Sequence, residues 1–326
     1  MTELTIPDLS DVLAARKRIA PYLQPTPLYR YPALDALTGA RLWVKHENHQ
    51  PIGAFKVRGG INLISQLSPE DRSRGVVSAS TGNHGQSVAY AAGLFGVHAV
   101  ICVPEQANPV KVESMRALGA EVIFHGRDFD EAREHCEKLA AERGYRYIHS
   151  ANEPALIAGV ATYTLEILEV QPDADVIVVP VGGGSGLAGA SIVAKSVSPS
   201  IEVIGVQSEA APAAHLSWRA RALVEDTTAT IAEGLATRTA FELTQRILWD
   251  LVDDFVLVSE RELLEATRLM IGKTRNLVEP AGAASLAAVL AAPDRFAGRT
   301  VAIVCSGGNI SPEQLIALWP GGRTSS

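Results

Sequence analysis

The sequence predicts an α/β protein of two lobes, each a mostly parallel, twisted sheet flanked by helices. With 326 residues the chain is long enough to form two hydrophobic cores. Short β-branched runs alternate with helix-like stretches, and continuous apolar runs are typical of parallel strands that helices cover on both faces. The predicted strands are Val76–Ser78, Ala99–Val103, Glu121–Phe124, Val176–Val181, Glu202–Val206, Phe255–Val258 and Val301–Cys305.

The stretches between these runs predict helices and one boundary. The first series of strands and helices ends at Arg146–Pro154. We therefore expect a small mobile domain at 75–148 and a large domain at 1–74 and 149–326. The clearest predicted helices are Gly85–Phe95, Pro109–Leu118, Phe129–Arg143 and Ser191–Lys195.

Composition excludes several classes of protein. Hydrophobic residues make up 47% of the chain, charged residues 20%, and the net charge is -7. No basic stripe with interleaved aromatic residues suggests a nucleic-acid partner. No apolar run is long enough to span a bilayer and no apolar signal core opens the chain, so a cytoplasmic protein without membrane contact is expected. The three cysteines lack CxxC spacing, which argues against a disulfide framework or a structural zinc site.

A single lysine, Lys56, lies in a glycine-rich segment that runs from Gly53 to Gly60. The pattern predicts a turn with Phe55 and small residues close to the ammonium. Such surroundings remove water, favour the neutral amine and make it a candidate nucleophile or Schiff-base former. An ordinary loop lysine is the alternative.

The loop after the strand Val176–Val181 predicts a phosphate site. Gly182, Gly183, Gly184, Ser185 and Gly186 follow the strand and precede a helix-like stretch, so backbone N–H groups can converge on an anion. A tight turn would need only one glycine.

The same loop permits a rival interpretation. The spacing Gly184–Gly189 also fits the GxGxxG pattern of dinucleotide sites. That fold would place an acid at the end of the next strand, where the chain has Gln207, with Glu209 two residues on. A dinucleotide-dependent oxidoreductase is therefore the weaker hypothesis.

A second polar loop, Ser80–Gly85, predicts a carboxylate site at a helix N-terminus. Ser80, Thr81, Gly82 and His84 offer hydroxyls, backbone N–H groups and an imidazole. Ser80 and Thr81 could instead be helix N-caps, and Asn83 a turn residue.

Together these motifs, in this order, resemble the fold-type-II pyridoxal-phosphate enzymes, specifically the group of threonine/serine dehydratases and serine racemases. The resemblance covers about Tyr22 to Ile310. It implies a tryptophan-synthase-β-like fold in which the large domain binds the cofactor. The motifs that carry the resemblance are Thr26–Leu28, Lys45–Asn48, Gly53–Gly59, Ser80–Gly85, Gly182–Gly186, Glu279–Gly282 and Ser306–Asn309.

The resemblance implies a role for each candidate residue. Lys56 would bond covalently to pyridoxal 5'-phosphate and, once freed by the substrate, act as general base. The glycine loop would hold the phosphate. The substrate carboxylate would be held by Ser80, Thr81, Gly82 and His84. The residues expected around the cofactor are Phe55, Asn83, Gly182, Gly183, Gly184, Ser185, Gly186, Glu279 and Ser306. Ser306 would face the pyridine nitrogen; a neutral hydroxyl there stabilises charge at Cα weakly and favours prompt loss of a β-substituent.

The reaction implied is elimination of the β-hydroxyl from an amino acid such as L-threonine or L-serine, giving a 2-keto acid and ammonia. Specialised substrates are alternatives: 3-hydroxyaspartate, phenylserine or a hydroxyectoine-derived amino acid. His215, Trp218 and Arg238 could line the substrate side or simply pack.

Other activities are less favoured. In racemases of the group a serine at the position of Thr81 acts from the face opposite the lysine. Thr81 keeps the hydroxyl and is therefore a candidate catalytic residue beside Lys56, but its methyl group restricts its rotamers. A non-catalytic relative that binds the cofactor is a further alternative. A homodimer is expected. No metal is expected after strand Glu202–Val206, where Gln207 replaces an acid, and no regulatory domain is expected after Ser306.

Overall fold

The computed structural model describes residues 4–127 and 129–319. Its ten described strands form a six-stranded sheet in the order β1-β2-β10-β7-β8-β9 and a four-stranded sheet in the order β5-β4-β3-β6. All neighbouring strands are parallel except the pair β1 and β2. The strands are β1 Leu28–Arg30, β2 Arg41–His46, β3 Val76–Ala79, β4 Ala99–Val103, β5 Glu121–Phe124, β6 Arg146–Tyr147, β7 Val176–Pro180, β8 Glu202–Ser208, β9 Asp254–Val258 and β10 Thr300–Cys305.

Helices cover the sheets and fill the space between them. None of the described helices is both long enough and apolar enough to cross a membrane. The α-helices are α1 Leu9–Ile19, α2 Pro32–Thr38, α3 Lys56–Ile64, α4 Pro69–Arg74, α5 Asn83–Phe95, α6 Pro109–Ala117, α7 Phe129–Arg143, α8 Pro154–Val170, α9 Ser185–Val197, α10 Ala213–Ala220, α11 Glu242–Leu251, α12 Glu260–Thr274, α13 Pro280–Ala291, α14 Pro293–Phe296 and α15 Pro312–Ala317; short 3₁₀ turns are η1 Glu47–His49 and η2 Glu233–Leu235.

The largest core joins the two sheets. Ile101 of β4 and Ile177 of β7 belong to the same buried cluster, together with Val57 of α3, Val88 of α5 and Leu156 of α8. These helices therefore pack between the sheets, as the two-lobed α/β prediction requires. The fold class predicted from the sequence is confirmed.

Several local predictions need correction. Lys56 does not lie in a turn, because it is the first residue of α3. The helix after the glycine loop begins at Ser185, two residues before the helix-like stretch that the sequence predicted from Leu187, and α5 begins at Asn83 instead of Gly85. Strand β2 was missed because its last residues, Lys45 and His46, interrupt the apolar run although both are buried.

The strands of the four-stranded sheet all lie within residues 76–147. That residues 75–148 act as a small mobile domain, with 1–74 and 149–326 as the large one, stays a prediction.

A network of buried charges fixes α3. Arg58 donates to Glu47 from Nε at 2.7 Å and to Glu166 of α8 from Nη1 at 2.6 Å. Lys45 of β2 donates to Glu166 at 2.5 Å and to the carbonyl of Thr26 at 2.7 Å. Because Arg58, Lys45 and Glu47 are at most 1% exposed, each charge depends on its partners for solvation.

We expect Glu166→Gln to lower the free energy of unfolding by about 3 kcal/mol, because two buried cations lose a carboxylate partner. Chemical denaturation followed by circular dichroism measures the change. The matched control is Glu169→Gln in the same helix, whose exposed pair with Arg16 should contribute less than about 1 kcal/mol. Equal effects of the two changes would contradict the role given to the buried network.

Candidate active site

A cavity of about 830 Å³ opens at the carboxyl ends of strands from both sheets. Ala79 ends β3, Pro180 ends β7 and Ser306 follows β10, and all three line it. The residues expected to hold the cofactor or the substrate carboxylate all lie on its wall: Phe55, Lys56, Ser80, Thr81, Gly82, Asn83, His84, Gly182, Gly183, Gly184, Ser185, Gly186, Glu279 and Ser306.

Lys56 presents its amine to this cavity from the first turn of α3. Its Nζ donates to Ser185 Oγ at 2.7 Å and to the carbonyl of Ser150 at 3.3 Å, and it lies 5.2 Å from the centre of the Phe55 ring. The side chain is open to the cavity, but protein atoms surround it closely. This desolvation lowers the pKa of Lys56 to about 8, so a substantial fraction is neutral near physiological pH.

The glycine loop occupies the turn between β7 and α9. Gly184 has φ +90°, a conformation that favours glycine, and it is the N-cap of α9. A Cβ on Gly182 would come within 2.2 Å of the Gly234 carbonyl oxygen. The first N–H groups of a helix have no partner within it, so the start of α9 offers Ser185 and Gly186 N–H groups to an anion.

The Ser80–Gly85 loop is arranged by its own serine. Ser80 Oγ accepts from the backbone N–H of Gly82 at 3.2 Å and of Gly85 at 2.9 Å. Gly82 is the N-cap residue of α5, so neither Ser80 nor Thr81 occupies the N-cap position. Ser80 nevertheless satisfies a backbone N–H of the first helical turn, that of Gly85, as a capping side chain does. Asn83 is likewise the first residue of α5 and not part of a turn.

An amide and a carboxyl group meet on the cavity wall. Asn83 Nδ2 donates to Glu279 Oε1 at 2.7 Å, and Asn309 Nδ2 donates to Asn83 Oδ1 at 2.7 Å. Burial raises the pKa of Glu279, opposed by the charge of Lys111 and the bond from Asn83. The side chain of Asn83 is thereby held in one orientation.

The two histidines near Lys56 are neutral. Burial lowers the pKa of His84 to about 3 and that of His149 to about 4. Neither ring nitrogen of His84 has a hydrogen-bond partner of good geometry among the described residues. An unpaired buried imidazole on a cavity wall can bond to a ligand.

Of the three residues that could line the substrate side or simply pack, one lies at the cavity. This residue is Arg238. His215 and Trp218 pack against Phe255, with ring centres 5.4 Å and 6.0 Å away, and the described lining of the cavity includes neither. Of the two alternatives left open for His215 and Trp218, packing is therefore the one that the structure shows.

The side-chain amide of Gln207 binds the backbone at the start of α10. Gln207 Oε1 accepts from the backbone N–H groups of Ala214 and His215, both at 3.1 Å. Within the described ranges no group of three or more His, Cys, Asp or Glu could hold a metal ion.

Sequence reasoning missed Lys111, Arg133 and Glu233, which also line the cavity. Lys111 and Arg133 lie on ordinary amphipathic helices, α6 and α7, and Glu233 on η2. No motif marks them, because only the packing of the two lobes brings them to the cavity.

The residues present fit pyridoxal phosphate. Three groups that suit this cofactor and its substrate face one cavity. They are the amine of Lys56 with its lowered pKa, the N–H groups at the start of α9 and the imidazole of His84, which lacks a hydrogen-bond partner of good geometry within the described part of the chain. Of these, Lys56 and the glycine loop would hold the cofactor, with Phe55, Asn83, Glu279 and Ser306 on the same wall.

Comparison with protein families and known structures agrees with this fit to pyridoxal phosphate. Residues 19–307 match the family described as pyridoxal-phosphate dependent enzyme. The chain is 42% identical over 303 residues to an L-threonine ammonia-lyase of Thermotoga maritima, covering 93% of this chain and 75% of the relative. It is 36% identical to an L-threo-3-hydroxyaspartate ammonia-lyase of Saccharomyces cerevisiae, covering 98% of each. The structure of maize serine racemase superposes with a TM-score of 0.91 at 33% identity, covering 96% of this chain and 97% of that one.

We expect covalent attachment of pyridoxal phosphate to the apo protein to quicken with an apparent pKa of about 8. Below that pH Nζ is protonated and has no free electron pair, and above it the neutral amine predominates. Stopped-flow absorbance measures the rate, with an N-acetylated lysine amide correcting for the ionisation of the reagent. A profile that follows the free amide would contradict the desolvated amine.

Proposed function

The chain belongs to the family of pyridoxal-phosphate dependent enzymes, and on this basis we propose that it eliminates the β-hydroxyl of a β-hydroxy amino acid to give a 2-keto acid and ammonia. The observation that carries the proposal is the common cavity of Lys56, the Gly182–Gly186 loop and the Ser80–Gly85 loop. An amine, a phosphate site and a carboxylate site are what this cofactor and an amino acid require together.

When bound, the cofactor supplies the electron sink that makes the Cα proton of an amino acid acidic. Lys56 Nζ then removes that proton as general base, since its lowered pKa of about 8 leaves it partly neutral. The bond from Nζ to Ser185 Oγ, 2.7 Å long, holds the amine beside the start of α9 when it is free.

The two loops hold the anionic ends of the ligands. The N–H groups of the Gly182–Gly186 loop would hold the phosphate, and those of the Ser80–Gly85 loop, with His84, the substrate carboxylate. Asn83, oriented by Glu279, would donate or accept at the cofactor's ring oxygen.

Ser306 bears on the type of reaction. It follows β10, is 7% exposed and lies on the cavity wall. A hydroxyl that faced the pyridine nitrogen of the bound cofactor would not keep that nitrogen protonated as a carboxylate would. Charge at Cα would then be weakly stabilised, which would favour prompt departure of a β-hydroxyl. Thr81, where racemases of the group carry serine, points the same way.

Threonine and serine are the proposed substrates, and 3-hydroxyaspartate is the first alternative. The Thermotoga relative is named for threonine and the yeast relative for 3-hydroxyaspartate. Phenylserine, a hydroxyectoine-derived amino acid and racemisation are further outcomes that a substrate panel distinguishes. We also propose a cytoplasmic homodimer in which residues 75–148 move relative to the rest.

The decisive test is a panel of β-hydroxy amino acids assayed for keto acid, ammonia and loss of chirality. We expect keto acid and ammonia in equal amounts from the wild type and none from Lys56→Ala, because the variant lacks the desolvated amine, and Lys111 on the same wall is engaged by Glu233. Lys17→Ala, on an exposed position of α1, is the matched control and should retain full activity. Keto acid from no member of the panel, or turnover by Lys56→Ala, would reject the proposal.

A further inference from the structure

An ion pair joins the two lobes across the candidate active site. Lys111 of α6 donates from Nζ to Glu233 Oε2 of η2. Helix α6 connects β4 to β5 in the four-stranded sheet, whereas η2 follows β8 of the six-stranded sheet. Both residues line the cavity. The side chain of Lys111 is 7% exposed and that of Glu233 is 38% exposed, so water screens the pair only partly.

Glu233 is the fixed end of this pair. A Cβ on its neighbour Gly234 would come within 2.8 Å of the Ala281 Cβ on α13, so the backbone of η2 lies close against that helix. Gln314 of α15 also donates to Glu233, from Nε2 to Oε1 at 3.3 Å. The carboxylate is therefore held by elements of the six-stranded lobe.

Lys111 is the residue of the pair that contacts the Ser80–Gly85 loop. Its Nζ would lie 3.7 Å from a Cβ built on Gly82, so the ammonium covers the Ser80–Gly85 loop. In α5, which continues from this loop, Ser87 Oγ donates to the carbonyl of Lys56 at 2.6 Å. The helix that follows the loop is thus bound to α3, and the loop itself is contacted by Lys111, which is bound to η2.

The charges of the pair offset each other within the site. At Glu279 the charge of Lys111 favours the ionised carboxylate and that of Glu233 opposes it. Together they place little net charge beside the cofactor position, whereas loss of either one alone would leave its partner unbalanced.

We propose that Lys111 and Glu233 form a positioning pair that holds the two lobes together over the substrate, so that the Ser80–Gly85 loop closes on the substrate carboxylate. This inference rests on the proposed function. Lys111 acts through the loop and not as a substrate ligand, because its charge is already engaged by Glu233. A loop held in place binds the carboxylate before and during the reaction alike, so the pair affects KM more than kcat.

The experiment compares Lys111→Met, Glu233→Gln and the double variant as holoenzymes. In each we expect KM for the best substrate of the panel to rise about tenfold, as for loss of a partly buried pair, with kcat changed by less than about twofold. The double variant should be no worse than either single one, which marks a shared interaction. Lys111→Arg keeps the charge and should remain close to the wild type.

A second measurement does not need turnover. Hydroxylamine attacks bound pyridoxal phosphate, and its second-order rate constant, followed by absorbance, reports how open the cavity is. We expect a rise of about fivefold to tenfold when the pair is removed, following the loss of closure. Lys195→Met is the matched control, because Lys195 pairs with Asp253 at 2.7 Å with similar exposure, 18% and 39%, away from the cavity. It should change neither quantity.

The outcomes separate the two proposals. Unchanged KM and hydroxylamine rates in both single variants would overturn the positioning pair, and so would additive effects in the double variant. A defect in Lys111→Met without one in Glu233→Gln would also overturn it, because Lys111 would then act on the substrate directly. If the wild type makes no keto acid but the variants still open to hydroxylamine, the proposed function fails and the pair stands. Should Lys111→Met not fold, Glu233→Gln with its more exposed side chain carries the test.

Discussion

The buried charges around Arg58 are the constraint on which the rest of the structure depends. Arg58 lies two residues after Lys56 on α3 and is bound to Glu47 beside β2 and to Glu166 on α8. Burial alone would raise the pKa of Glu47, but Arg58 and Lys45 hold it below its ordinary value. Because a buried charge without a partner is costly, α3 has one position, and the amine of Lys56 is fixed with it.

In the candidate active site, by contrast, the groups close to Lys56 are uncharged. Near Lys56 the structure places neutral groups: the Ser185 hydroxyl and the imidazoles of His84 and His149, whose pKa values burial lowers. Lys56 therefore loses its proton by desolvation, without help from a neighbouring cation. The ion pairs of Arg58 hold α3 rigidly in place. The groups around Lys56 are neutral, so its amine is available to react. The Lys111–Glu233 pair lies between these extremes, because one side chain is buried and the other is partly exposed to water.

The predicted cofactor and carboxylate residues converge on one cavity, whereas several individual elements were predicted wrongly. The glycine loop and the Ser80–Gly85 loop were singled out because each follows a strand and carries more glycine and hydroxyl residues than a connection needs. Strand β2 was missed because Lys45 and His46 are polar but buried by the charge network and by Tyr31. Lys56 was assigned to a turn since flanking glycines usually interrupt helices, yet Gly59 and Gly60 allow α3 to approach α8 and Ser87 closely.

By itself the sequence determined the α/β class and the order of the loops, because these follow from local composition and hydrophobic pattern. It singled out Lys56 as the candidate reactive amine through the resemblance to fold-type-II pyridoxal-phosphate enzymes. Only the tertiary structure decided that Lys111, Arg133 and Glu233 border the same cavity and that His215 and Trp218 do not. These residues come from segments far apart in the chain, and no local pattern encodes such contacts. The lowered pKa of Lys56 also belongs to the fold, since desolvation depends on every element packed around the amine.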